Sequence, residues 1–315
     1  MKDSFNREIN YLRISVTDLC NLRCVYCMPE NGIEKLPHEK ILSPERIKEI
    51  VEAAASLGIK KIRLTGGEPL VRKGIIDIIK LIKSVNSIEE ICLTTNGVLL
   101  PLLGKDLLEA GLNRLNISLD TLNKDKYHRI TRVGELDDVL NGIKAAQEAG
   151  FKDIKINCVL IKGFNDDEIL DFEKFAIKNN LTVRFIELMP IGESISLSKE
   201  HYISNSIVLD TLKDLEPLES EGVSYLFKIR NSEAKIGLIS PLSHMFCYKC
   251  NRLRLTSDGK LKPCLHSKEE FDTNGLSKDE LDRLIEKAII SKPKQHYLNE
   301  QGESSSLRGM NKIGG

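Results

Sequence analysis

What the 315 residues lack already limits their use. Charge has no excess of either sign, 46 Lys plus Arg standing against 46 Asp plus Glu, which removes the basic footprint of a general nucleic-acid binder. No apolar run approaches the ~20 residues that cross a bilayer, so no membrane role is expected. The opening MKDSFNREINYLRI carries no apolar signal core, and the chain is expected in the reducing cytoplasm. Tryptophan is absent and aromatic residues make up only 5% of the chain, yet 41% of it is hydrophobic, enough to bury a large core in one large domain or two.

Disulfides are equally out of place in a reducing compartment, so the eight cysteines read as metal ligands or buried thiols. Cys92 and Cys158 sit singly in the apolar runs ICLTT and INCVL and read as core, where a free thiol packs as a small hydrophobe. The other six fall into two triplets, Cys20/Cys24/Cys27 and Cys247/Cys250/Cys264, the clustering of metal sites. Neither triplet has an obvious fourth cysteine.

Strand-like segments at about 11–18, 60–65, 90–95, 114–119, 153–161 and 182–189 alternate with helical periodicity at about 43–57, 72–84, 103–110, 137–150 and 166–179, as hydrophobic spacing predicts. Ser43-Pro44 reads as an N-cap followed by proline at the first helical position, and Gly58 and Gly150 stand where helices should stop. Six βα units predict an α/β fold, an incomplete (β/α)6 TIM-like barrel. The pattern changes near residue 190, which divides the chain into a barrel over 1–190 and a smaller region of short strands and turns over 191–315.

Strand alternation carries a further prediction. Arg13, Ser15 and Thr17 alternate with Leu12, Ile14 and Val16, and Arg63 and Thr65 alternate with Ile62 and Leu64. Thr94 with Asn96, Asn116 with Ser118, and Lys155 with Asn157 continue one polar face. Helices outside a parallel sheet need its apolar face, so the polar face should line the interior. Arg13, Arg63 and Lys155 would then point inward, where unmatched cations require an anionic ligand, and arginine suits phosphate. The alternative is a mixed sheet whose polar face simply meets water.

Three thiolates from one loop leave one iron of a [4Fe–4S] cluster open to an external ligand. Zinc sites pair C-x2-4-C with a second pair far along the chain, and C-x3-C-x2-C fits that poorly. This motif, with Tyr26 before its last cysteine, and Thr65-Gly66-Gly67-Glu68-Pro69 after the second strand resemble the radical S-adenosylmethionine (SAM) enzymes, both lying at strand ends where barrel active sites form. For the second triplet, C-x2-C-x13-C, spacing leaves iron–sulfur and a zinc site completed by His244 or His266 equally open.

Context then narrows the second triplet. FCYKCNRLRLTSDGKLKPCL at 246–265, CNLRCVYCMP at 20–29, IRLTGGEPLVR at 62–72, LTTNG at 93–97, LNISLD at 115–120, KIN at 155–157, RFIELMP at 184–190 and the ending NKIGG resemble the GTP 3′,8-cyclases of molybdenum cofactor biosynthesis over nearly the whole chain. The resemblance implies two [4Fe–4S] clusters, on Cys20/Cys24/Cys27 and on Cys247/Cys250/Cys264, and makes the second region an iron–sulfur α+β region. It implies SAM at Tyr26, Gly67, Ser118 and Met189, and GTP at Arg13, Arg63, Thr94, Lys155, Arg252, Leu253 and Arg254. It further implies that a 5′-deoxyadenosyl radical takes the ribose 3′ hydrogen, that the carbon radical attacks C8 of guanine, and that the product is a 3′,8-cyclised dihydro-GTP. Arg13, Arg252 and Arg254 would act in that chemistry, together with Gly314 and Gly315 of a tail inserted into the active site.

The implied partners are a flavodoxin or ferredoxin as reductant and cyclic pyranopterin monophosphate synthase as the next enzyme, and a homodimer is one arrangement left open. The segment IGESISLSKE after Pro190 is shorter than usual and lacks the family's common tryptophan. Two rival readings are a radical SAM enzyme that modifies a peptide and a noncatalytic carrier of two clusters. Three cations in the interior argue for a triphosphate against the first, and a carrier needs no polar barrel interior.

Overall fold

The computed structural model describes residues 1–34, 36–298 and 302–314. Six parallel strands, β1 (Tyr11–Ser15), β2 (Lys61–Thr65), β3 (Glu90–Thr95), β4 (Arg114–Ser118), β5 (Ile154–Leu160) and β6 (Thr182–Glu187), follow one another in sheet order. Between them run α1 (Pro44–Ser56), α2 (Ile75–Lys83), α3 (Leu100–Glu109), α4 (Lys124–Thr131), α5 (Leu136–Glu148) and α6 (Ile169–Asn179). One strand parity supplies Leu12, Ile14, Ile62, Leu64, Leu93, Leu115, Ile117, Ile156, Val183 and Phe185 to the hydrophobic core, and the helices answer with Ile47, Ile50, Ile78, Ile82, Val139 and Phe172. Each such side chain contributes ~1.5–3 kcal/mol on burial. Ser43 caps α1 as predicted, accepting a hydrogen bond from Arg46 N at 3.1 Å, and Gly58 and Gly150 take positive φ beyond their helices.

Helix α4 was not anticipated. Its sequence KDKYHRIT is so polar that only Tyr127, Ile130 and Thr131 are buried, too narrow a stripe for periodicity to register. What starts it is Asn123, whose side chain accepts from both Asp125 N and Lys126 N.

Beyond residue 190, α7 (Ser194–His201) and α8 (Ser206–Thr211) precede β7 (Leu215–Glu221), β8 (Ser224–Ile229), β9 (Lys235–Ile239), β10 (Arg252–Leu255), β11 (Lys260–Lys262), β12 (Phe271–Asp272) and α9 (Lys278–Ile290). These strands do not form a sheet of their own. They extend the barrel sheet at both edges, giving the order β12-β11-β10-β1-β2-β3-β4-β5-β6-β9-β8-β7. β10 pairs parallel with β1 and β9 pairs parallel with β6, and antiparallel hairpins finish each side. The sheet curls without closing, a partial barrel whose short β9 and β10 cover edges that would otherwise expose unpaired backbone.

Candidate functional site

The inward parity is the polar one. Arg254, Arg13 and Arg63 occupy one level of three adjacent strands, Thr94 and Asn116 the next, and Ser118, Asn157 and Arg184 another. All eight line a cavity of about 440 Å³. Cys158 lies on the outer parity in the core, whereas Cys92, equally buried, stands beside Arg63 on the inner one. Leu253 is fully buried on the outer face, between Arg252 and Arg254, in the hydrophobic core; its neighbours, not its side chain, face the cavity.

The first cysteine loop follows β1 and is propped by the end of α4. Arg23 N donates to Thr131 O at 3.0 Å and Val25 N to Ile130 O at 2.9 Å. Arg132 Nη1 donates to Arg23 O at 3.0 Å and to Met28 O at 2.9 Å. Inside the loop, Cys27 N and Met28 N both donate to Cys24 O, turning the three thiols to one side. Burial pushes Cys20 up to about 11 and, with the neighbouring Cys20 thiol adding to the rise, Cys27 up to about 12. Buried thiols in mutual repulsion ionise only beside a cationic group.

Tyr26 is fixed from across the cavity. Its hydroxyl donates to Asp120 Oδ2 at 2.6 Å, and Val159 N donates to Asp120 Oδ1 at 2.8 Å. Burial lifts Asp120 to about 6, against the pull of those two hydrogen bonds. At the end of β2, Gly67 admits no side chain, because a Cβ would lie 2.3 Å from Leu19 O. Glu68 then ties this turn to β3, accepting from Leu70 N at 3.0 Å, Thr95 Oγ1 at 2.7 Å and Asn96 N at 2.7 Å. Met189 and Ser118 complete the wall near this loop.

The second triplet opens into the same cavity. Lys292 Nζ bridges Arg252 O at 2.8 Å and Pro263 O at 2.7 Å, and Arg7 Nη1 donates to Cys247 O at 2.8 Å. Burial opposes ionisation of Cys250, yet Lys292 and Arg252 bring it down to about 7. His244 is exposed and meets Ser243 Oγ, while His266 lies in the wall against Ser304 Oγ and the His296 ring. Among the described residues no three His, Cys, Asp or Glu side chains converge on a single-ion site.

The cations differ in how they are held. Arg63 donates to neutral groups, Tyr11 Oη at 2.5 Å and Leu93 O and Thr94 Oγ1 at 3.3 Å. Lys155, expected without a matching acid, has Asp153 at 3.4 Å and a closer partner: Glu221 of β7 accepts from its Nζ at 2.5 and 2.6 Å. Sequence alternation could not reveal this partner, which comes from outside the barrel strands. Asn96 lines the cavity as the polar parity of its strand predicts. Arg184, Lys61, Asp120, Met310 and Asn311 also line it without having been singled out; Arg184 carried a signal, being on the inward parity of the sixth strand.

The tail enters this space. Arg308 is clasped by Asp258 and Glu270, with four N–O distances of 2.8 to 3.0 Å. A short helix, Met310–Ile313, follows, and the Asn311 backbone hydrogen-bonds Cys27. Arg254 Nη1 donates to Gly314 O. Gly315 lies outside the described residues.

A family model of the Radical SAM superfamily matches residues 14–176, and one described as Molybdenum Cofactor Synthesis C matches 181–298. The chain is 49% identical to a GTP 3′,8-cyclase of Alkaliphilus oremlandii over 100% of both chains. It is 50% identical to one of Peptoclostridium acidaminophilum, covering 99% of this chain and 98% of that one. Among solved structures, SuiB of Streptococcus suis bound to S-adenosylmethionine superposes with a TM-score of 0.63 at 18% identity. That match covers 88% of this chain and 65% of SuiB, so this chain spans a little under two thirds of SuiB's length; at that identity the likeness is one of fold.

Proposed function

Since this chain belongs to the GTP 3′,8-cyclase family of radical SAM enzymes, we infer that its cavity is where GTP is cyclised. The enzyme converts GTP to (8S)-3′,8-cyclo-7,8-dihydroguanosine 5′-triphosphate, the first step of molybdenum cofactor biosynthesis, and uses two [4Fe–4S] clusters and SAM. The observation that carries the site assignment is that both cysteine triplets and the arginine row open onto one cavity.

Cys20, Cys24 and Cys27 would hold one cluster, and Cys247, Cys250 and Cys264 the other, each set bringing three thiols to the wall of the same cavity. When bound, SAM and the first cluster supply one-electron chemistry that removes a hydrogen atom from the ribose. Tyr26, Gly67, Ser118 and Met189 border the SAM side, where the Tyr26–Asp120 hydrogen bond fixes the ring and the bare Gly67 lets backbone come close. Arg13, Arg63, Thr94 and Lys155 bind the nucleotide, the arginines by paired N–H donors to phosphoryl oxygens. Arg252 and Arg254 orient it beside the second triplet, and Leu253 supports their strand from the core side. Gly314 reaches the reacting end and, with the surrounding walls, keeps water out; Gly315 is assigned to the same chemistry by the family resemblance alone.

By this reading residues 1–190 form the SAM-binding unit and 191–315 the unit that adds the second cluster and the tail. The reductant is a flavodoxin or ferredoxin, and the product passes to cyclic pyranopterin monophosphate synthase. Among the described residues no helix is long and apolar enough to cross a membrane, and the reading puts the enzyme in the cytoplasm. Anaerobic reconstitution with iron and sulfide counting, then incubation with SAM, reductant and GTP, tests it. Cyclised product is expected from the wild type, and Cys24→Ala and Cys250→Ala should each lose half the iron. Full iron in Cys250→Ala alongside zinc in the wild type would overturn the second cluster.

A further inference from the structure

Glu221 holds more cationic nitrogen than any single structural role needs. Besides Lys155, it accepts from Arg184 Nη2 at 3.0 Å and from Arg114 Nη1 at 2.8 Å. Lys155 and Arg184 are themselves buried. Lysine and arginine donors converging on two oxygens from several sides is the arrangement by which proteins hold phosphoryl groups. The carboxylate sits at the end of a hairpin whose ladder shifts register between Leu218 and Glu221, and the next residue, Gly222, has φ 61. A Cβ on Gly222 would meet nothing within 4 Å, so the turn has room to yield. Glu221, Gly222, Val223 and Ser224 all line the cavity that carries Arg13 and Arg63.

We propose that Glu221 is a specificity-determining residue: its carboxylate holds the cations that receive the polyphosphate end of the nucleotide, and only a ligand with enough negative charge displaces it. The proposal rests on the reading that Arg13, Arg63 and Lys155 bind the triphosphate. Binding is then an exchange of one anion for another on the same nitrogens, so affinity follows the difference between them. Guanosine offers no replacement for the carboxylate. GDP offers a weaker one than GTP, and the cations thereby measure phosphate number. Until the substrate arrives Glu221 neutralises Arg184 and shares Lys155 and Arg114 with Asp153, at 3.4 and 3.2 Å, which spares the fold an uncompensated buried charge.

Dissociation constants of GTP, GDP, guanosine and inorganic triphosphate for the cluster-loaded wild type and for Glu221→Gln test this, with amide hydrogen exchange followed over 215–229. Iron content and melting temperature establish that the variant is folded. Glu221→Gln should bind GDP and triphosphate about tenfold more tightly and discriminate less between GTP and GDP, as expected when a competing charge-assisted bond is removed. In the wild type GTP should speed exchange at 221–224. Unchanged or weaker anion binding by the folded variant makes Glu221 a fixed counter-charge that orients Lys155, and overturns the proposal. Should the variant not fold, exchange at 221–224 in the wild type decides alone. Equal wild-type affinity for GTP and guanosine sinks the triphosphate reading itself and the proposal with it.

Discussion

At Gly314 there is no space for even one methyl group. A Cβ would fall 2.2 Å from Thr65 Oγ1, and the backbone there holds φ 78, so Gly314→Ala must push the tail back from Arg254. Both clusters and GTP binding should survive, while cyclisation falls about a hundredfold, the scale of loss that misplacement near a reacting centre brings. Chromatographic product assay decides, and a full rate would mean that the tail has no part in the reaction. The run Arg252-Leu253-Arg254 splits in the opposite sense. Leu253→Ala should cost ~2–5 kcal/mol of stability with GTP affinity unchanged, and Arg254→Ala should weaken GTP binding with a smaller change in melting temperature. Alternation made Arg13 and Arg63 legible in the sequence, because a two-residue period fixes which side chains share a face. The same period in Arg252-Leu253-Arg254-Leu255 puts Leu253 opposite its neighbours, against its place among the GTP positions that the resemblance implies, but it could not find Asp120 and Glu221, whose partners Tyr26 and Lys155 are distant in the chain.

Among the elements, the tail depends most on a single side chain. Arg308 joins it to Asp258, in the β10–β11 turn, and to Glu270, just before β12, so the segment that reaches Cys27 and Arg254 is anchored on the strands beside the second triplet. Arg308→Gln should leave iron content intact, expose the C-terminus to carboxypeptidase and slow cyclisation; resistance equal to the wild type would count against the clasp. Burial raises Asp258 and Glu270, yet hydrogen bonds from Arg308 hold both below their ordinary 3.8 and 4.5. The stability from such depressed carboxyls is present above those values and lost as pH falls through the folded ones. Melting temperature should therefore drop less steeply below about pH 4.5 in Arg308→Gln than in the wild type. Long amphipathic elements such as α1 and α5 were readable from periodicity, whereas α4 was not, since it earns its place by bracing the first cysteine loop rather than by covering core.

For the molecule as a whole, the sheet order decides what can fold alone. Residues 1–190 contain β1 and β6 as edge strands, yet both are flanked in the full chain by β10 and β9. A fragment ending at 190 should aggregate or remain without fixed tertiary structure by near-ultraviolet dichroism and NMR dispersion, because two parallel edges with apolar faces would be left bare. A monomeric, cooperatively melting fragment would refute this. The same pairing has a temporal side. β1 leaves the ribosome before the other strands, and β10, which completes it by pairing Leu12 with Leu253 and Arg13 with Arg254, emerges more than two hundred residues later. At about 5–20 residues per second that delay is roughly tens of seconds. Throughout it Cys20, Cys24 and Cys27 are already made while the wall opposite them is not. If these thiols hold the cluster as proposed, iron loading and oxidation compete for them while they are unprotected, and the outcome depends on the clock of translation as much as on the finished fold.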